Sequence, residues 1–242
     1  MRARQRHFNP GHSGAKAAFD ARFISGLSNG SAITTWSDRS GQANDATQSN
    51  SSFRPTFQTN VQGGNPSTRY NGTNQRFTAP TIDAKTFIVV FTPNTTAVNR
   101  TFYGISSNAA VAVDALYIQM GDPTRKPKFA RTTTADTFGA NDFATTHTAV
   151  TNNSPSIFTG KRSDTSMTSW VVGADQQTDT TTSSLRSADG PSVIGAGYYN
   201  GNITDFLPGD IFALALYDTE MENSLIKRIE QSAAYSFKIA CS

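Results

Sequence analysis

The 242-residue chain is 36% hydrophobic and only 16% charged, with 18 glycines and 10 prolines, a composition that suits many short strands joined by polar turns. Its length allows one large all-β domain or two small ones, a core of this size needs no disulfide staples, and the single Cys241 could form none within the chain. No apolar run approaches the length of a membrane span, and three histidines with one cysteine exclude a His/Cys metal cluster.

The formal charge of +3 is local. Four of the 21 basic residues, Arg2, Arg4, Arg6 and Lys16, fall in the first 16 positions, where no acid occurs, which leaves 17 basic against 18 acidic residues in the rest. Residues 1–16 read as a basic arm and residues 17–242 as a single domain. A basic arm on a near-neutral body argues against a nucleic-acid-binding face and for a local contact. In an extended segment Arg2, Arg4, Arg6 and Phe8 project to one side, and Asn9-Pro10-Gly11 then bends the chain. This pattern predicts docking of the arm onto another subunit. The opening residues lack the apolar core of a secretory signal.

The first strand is expected over residues 17–23, with Phe19 and Phe23 on one face. A long irregular segment follows, then short strands near 55–59, 67–70 and 76–79. Residues 85–92, rich in β-branched and aromatic side chains, form the clearest strand. Further strands are expected at 100–106, 111–120, 127–131, 144–150, 156–162, 168–174 and 191–196. The polar run 176–184 is either a loop or an edge strand. Residues 211–217 are apolar on both alternating faces and predict a central strand covered on both sides. Met221, Leu225, Ile229 and Ala233 then recur at four-residue spacing, the stripe of an amphipathic helix, with Thr219 as its N-cap and Glu222 completing a capping box. Many short strands, one late helix and no βαβ alternation predict an antiparallel sandwich.

Two stretches carry a resemblance. The first holds Phe19-Asp20-Ala21, Thr35-Trp36-Ser37-Asp38-Arg39-Ser40-Gly41, Asn44-Asp45-Ala46-Thr47-Gln48, Arg54-Pro55-Thr56 and Arg69-Tyr70-Asn71-Gly72; the second is the strand opening Gly209-Asp210-Ile211 and its helix. Together, over about residues 19–239, they resemble the laminin-G-like branch of the concanavalin A-like lectin-glucanase superfamily, as found in phage virion and bacterial surface proteins. The resemblance implies an all-β, antiparallel two-sheet jelly-roll sandwich with one short C-terminal helix. Similar modules often carry a glutamate in the closing strand; here the run is Phe212-Ala213-Leu214, with no acid. The fold hosts lectins, glycosidases, adhesion domains and structural modules, so it does not settle function.

Catalytic readings find little support in the residues. Glycosidases of this fold use two carboxylates flanking the scissile bond, but the only glutamates, Glu220, Glu222 and Glu230, all belong to the terminal helix region. His147 would have to be the base of any triad, and no Gly-x-Ser-x-Gly elbow accompanies it. The chain is therefore expected not to be an enzyme and to need no cofactor. Asp38, Asn44 and Asp45, with Asp20 nearby, offer hard oxygen ligands for calcium; the favoured reading is that they hydrogen-bond turn backbone without metal. Trp36 and Trp170 read as core. Tyr198, Tyr199, Asn200 and Asn202 combine aromatics with amides around an Asn-Gly turn and are the candidate glycan contacts.

The expectation from sequence is a non-catalytic structural or adhesive module, homo-oligomeric, on the exterior of a larger assembly. The most plausible setting is a bacteriophage virion, as capsid decoration, fibre or tail component, made in the host cytoplasm without a signal peptide. The alternative is a lectin-like module that recognises surface glycans, with no nucleic-acid or membrane partner.

Overall fold

The computed structural model describes residues 14–94, 99–106, 114–120, 126–131, 143–146, 148–174, 176–180, 190–199 and 202–240. The arm residues Arg2, Arg4, Arg6 and Phe8, as well as His147, lie outside them. Among the described residues eighteen strands and one α-helix follow in chain order: β1 Ala17–Asp20, β2 Thr35–Trp36, β3 Ala46–Thr47, β4 Thr56–Gln62, β5 Asn65–Asn71, β6 Phe77–Ala79, β7 Thr86–Pro93, β8 Arg100–Ser106, β9 Asp114–Met120, β10 Pro127–Arg131, β11 Phe143–Thr145, β12 Ser156–Arg162, β13 Ser166–Val171, β14 Gln177–Thr180, β15 Ser192–Ile194, β16 Gly197–Tyr199, β17 Asn202–Thr204, β18 Pro208–Tyr217 and α1 Asn223–Phe237.

Two antiparallel sheets of eight strands form the predicted sandwich. The first runs β14-β13-β12-β7-β18-β5-β4, with β1 also paired to β18; the second runs β11-β10-β9-β8-β15-β6-β3-β2. The polar run at 176–184 supplies β14, an edge strand of the first sheet. The sheets enclose an aromatic core in which Phe87 meets Phe129 and Phe158 edge-on, each at 4.9 Å between centroids. Such pairs add directional attraction to the apolar burial. At one end of the core the buried guanidiniums of Arg131, on β10, and Arg162, on β12, both donate to Oδ1 of Asp83, tying the two sheets together.

Strand β18 is the centre of the first sheet, and Ile211 to Tyr217 are all buried. Its alternating residues serve two cores. Ile211, Leu214 and Leu216 face the second sheet, while Phe212, Ala213, Ala215 and Tyr217 join the cluster beneath α1. A bulge between Ile211 and Ala213 shifts the register against β7 and lets Phe212 reach the helix, where it packs 5.7 Å from Phe237.

The helix differs from expectation in two ways. It begins at Asn223, with Glu222 as N-cap and no side-chain cap bond; the capping box at Thr219 does not form. Thr86 is the reason. Its hydroxyl donates to the Thr219 carbonyl (2.8 Å) and accepts from the Met221 N–H (3.0 Å), which holds this segment against β7. The buried stripe is also rotated. Ile226, Glu230, Ala233, Ala234 and Phe237 face the sheet, and Leu225 and Ile229 are only partly covered. Glu230 is buried because Oε1 accepts from Thr159 Oγ1 (2.6 Å) and Trp170 Nε1 (2.7 Å).

The first strand is shorter than predicted. Asp20 caps a 3-10 turn over Ala21–Phe23 by accepting from the Arg22 N–H. The turn breaks the two-residue alternation, so Phe23 leaves the face of buried Phe19 and stands 51% exposed.

Candidate functional site

The outward turn of Phe23 opens a cleft of about 270 Å3 between the 3-10 turn, the segment 24–34 and edge strand β2. The segment is shaped by backbone bonds to β4: Gly30 N–H to the Phe57 carbonyl (2.7 Å), Phe57 N–H to Ser31 (2.8 Å) and Ile33 N–H to Pro55 (2.9 Å). Buried Ile33 and Trp36, with half-buried Ile24 and Leu27, supply an apolar lining. The exposed residues Ser25, Thr34, Thr35 and Ser37 supply hydroxyls.

Trp36 is packed between Phe19 (5.4 Å) and Phe77 (6.0 Å), as its core reading requires. Its buried indole Nε1–H, however, has no hydrogen-bond partner, an exception to the rule that buried donors are satisfied. Asp20 is the one carboxylate among the residues lining the cleft, and it is engaged. Arg22 Nε donates to Oδ1 (3.0 Å) and Nη2 to Oδ2 (2.5 Å). Arg39 lies 4.4 Å over the Phe23 ring and holds that exposed aromatic at the cleft. The arrangement offers an aromatic surface and a rim of hydroxyls. It suits a ligand with one apolar face and a polar edge.

The residues singled out in the sequence fare differently. Asp38 Oδ1 accepts from the Ala18 and Ser40 N–H groups, both at 2.8 Å, and Oδ2 from Ser40 Oγ (2.6 Å) and the Asn44 N–H (3.0 Å). Asp45 Oδ1 accepts from the Asp38 N–H at 2.7 Å. Burial pushes the Asp38 carboxyl up, but the hydrogen bonds from Ser40, Ala18 and Asn44 together outweigh it and hold the group below its ordinary 3.8. Both lone-pair directions of each Asp38 oxygen thus meet protein donors. Among the described residues no three His, Cys, Asp or Glu side chains are grouped to hold a metal.

Tyr198 is a correction. It was expected exposed beside a loop, but it lies on β16, only 8% exposed, packed with Val193, Ala196, Ile203 and Phe206. The hairpin β16–β17 pairs Tyr198 with Ile203 and lies against β8 and β9, so strand alternation turns Tyr198 inward. Asn202 is exposed; the Tyr199 side chain and Asn200 lie outside the described residues. The cleft residues Phe23, Ile24 and Leu27 were not found from sequence. The available signal was Asp20 two residues before Arg22, the spacing of an aspartate that caps a tight turn.

No family model matches the chain, and no curated protein matches it significantly in sequence. Solved structures match in fold. Domain 4 of AbnA, a GH43 extracellular arabinanase from Geobacillus stearothermophilus solved in complex with arabinotriose, aligns with a TM-score of 0.62 over 91% of this chain and 98% of that one, at 10% identity. The CBM40 of Ruminococcus gnavus IT-sialidase bound to α2,3-sialyllactose aligns with a TM-score of 0.53 over 90% of this chain and 99% of that one, also at 10% identity. At such identities the likeness is one of fold, an antiparallel two-sheet β-sandwich.

Proposed function

We propose that the protein is a non-catalytic carbohydrate-binding module whose glycan contacts the cleft between Phe23 and Trp36. The observation that carries this reading is the exposed Phe23 ring, held by Arg39 at a cleft rimmed with hydroxyls. A pyranose or furanose ring has C–H groups for the aromatic face and hydroxyls for the Ser/Thr rim. At about 270 Å3 the cleft lies at the small end of ligand pockets, which run about 300–1,000 Å3, so it suits a terminal sugar more than an extended chain. Two fold neighbours solved with oligosaccharides bound, one arabinotriose and one sialyllactose, support the class of ligand. Attachment to a virion exterior was the first expectation from sequence; the neighbours named above lend it no support, and the proposal is confined to glycan binding.

A glycan array followed by titration calorimetry tests the reading. Phe23→Ala should weaken binding of the selected glycan at least tenfold and leave the melting temperature nearly unchanged, because the ring is already half in solvent. Wild-type affinity in Phe23→Ala, or an array without a specific glycan, would refute it. The same glycans incubated with the protein should release no new reducing ends.

A further inference from the structure

The charged groups around the cleft differ in what they have left for a ligand. Asp20 is buried and both its oxygens are taken by Arg22, so its charge is compensated where it stands. Asp38 turns both oxygens onto Ala18, Ser40 and Asn44, and Asp45 accepts from the Asp38 N–H. Arg54, which precedes the Pro55 bonded to Ile33, donates to the carbonyls of Gln48 and Ser49. Arg39 is the exception. Its backbone N–H is fixed to the Ala18 carbonyl at 2.7 Å, and its guanidinium is held 4.4 Å from the centre of the Phe23 ring. Yet Arg39 is exposed, and among the described residues its guanidinium makes no hydrogen bond or ion pair.

A ring face attracts a guanidinium without using up its N–H donors. The planar fork matches a carboxylate, which it can hold through two parallel, charge-assisted hydrogen bonds. Phe23 is still 51% exposed with Arg39 in place. A sugar ring can therefore meet the aromatic while a carboxylate attached to that ring reaches the fork. Uronic and sialic acids both carry their carboxylate directly on a ring carbon, next to the C–H groups that an aromatic side chain takes.

We propose that the cleft prefers sugars that carry a carboxylate, and that Arg39 seats this carboxylate beside Phe23. The inference rests on the carbohydrate-binding reading and adds the chemical class of the ligand. The test is titration calorimetry of the full chain with tri-galacturonate and with α2,3-sialyllactose. Each is compared with its methyl ester, which keeps the sugar and removes only the charge. At least one acid should bind about fivefold or more tightly than its ester, and added salt should narrow the gap. In Arg39→Gln the ratio of acid to ester affinity should fall to near one. Arg39 is exposed, so the melting temperature of this variant should stay close to that of the wild type.

A preference in the galacturonate pair alone supports the proposal and assigns the cleft to uronic acids; one in the sialyllactose pair alone supports it and assigns the cleft to sialic acids. Esters that bind as well as their acids, or binding confined to neutral glycans, would overturn the preference and leave glycan binding standing. So would a ratio that Arg39→Gln leaves unchanged, because the charge is then read elsewhere. Failure of acids, esters and array glycans alike would remove the carbohydrate reading itself.

Discussion

Glu230 shows how far a single residue can depart from its expected place. It sits on a helix stripe that reads as solvent-facing, yet it is buried against Thr159 and Trp170. Burial pushes its carboxyl above the ordinary 4.5, and the hydrogen bonds from Thr159 and Trp170 and the charge of Lys227 only partly offset this. The folded value thus lies above the unfolded one. The stability this group contributes is complete below about pH 4.5 and is lost as pH rises through the folded value. Glu230→Gln keeps an acceptor for both donors and removes the titration. Denaturant melts from about pH 4 to pH 7 should therefore show the wild type losing stability relative to Glu230→Gln as pH rises. A difference that does not change with pH would show that the carboxyl is not desolvated. Asp38 has the opposite sign: its contribution is present above 3.8 and is lost as pH falls through a lower folded value. Its bonds from Ser40 and Asn44 were legible, because an Asx residue and the turn amides it caps lie within a few positions of one another; the bond from Ala18, 20 positions away, was not. Glu230 was not, because its partners lie 60 and 71 residues away.

Among the elements, β18 was the most legible and its helix the least. A seven-residue apolar run is too short for a typical buried helix and fits a strand covered on both faces, and β18 is that. Leu214→Ala should cost about 2–5 kcal/mol, the range for large-to-small changes in a packed core, read from the urea midpoint. A loss below about 0.5 kcal/mol would mean that the strand can repack around the hole. The helix start was misjudged because Thr219 and Glu222 form a plausible local cap, and nothing nearby in sequence announces that Thr86 will claim the segment. The cleft was missed for a related reason. Phe19 and Phe23 fit one strand face, and the Asp20–Arg22 clamp that ends the strand is a three-dimensional outcome of the same residues.

The molecule as a whole has two main apolar clusters that meet through one sheet, and each holds one of the two tryptophans: Trp36 lies between the sheets and Trp170 beneath the helix. Because alternate residues of β7 and β18 belong to both clusters, neither can open without exposing the other. The chain should unfold in a single transition, with tryptophan emission and far-UV circular dichroism giving the same midpoint. Trp36→Phe, which leaves Trp170 as sole emitter, should keep that coincidence even as it lowers the midpoint. Separate transitions would mean that the helix side melts on its own. The sandwich itself was readable from strand count, turn residues and the absence of βαβ alternation.

The position of β18 also bears on how the protein is made. It pairs with β7 along one side and with β1 and β5 along the other, and the ribosome produces it after every other described strand. Until then the growing chain carries the halves of its first sheet with their inner edges unpaired, and β1 must wait for a partner nearly two hundred residues later. Open strand edges are templates for wrong pairing. During synthesis the first sheet therefore depends on a late zippering step, and a nascent chain stalled short of β18 is the form most exposed to aggregation or to capture by a chaperone.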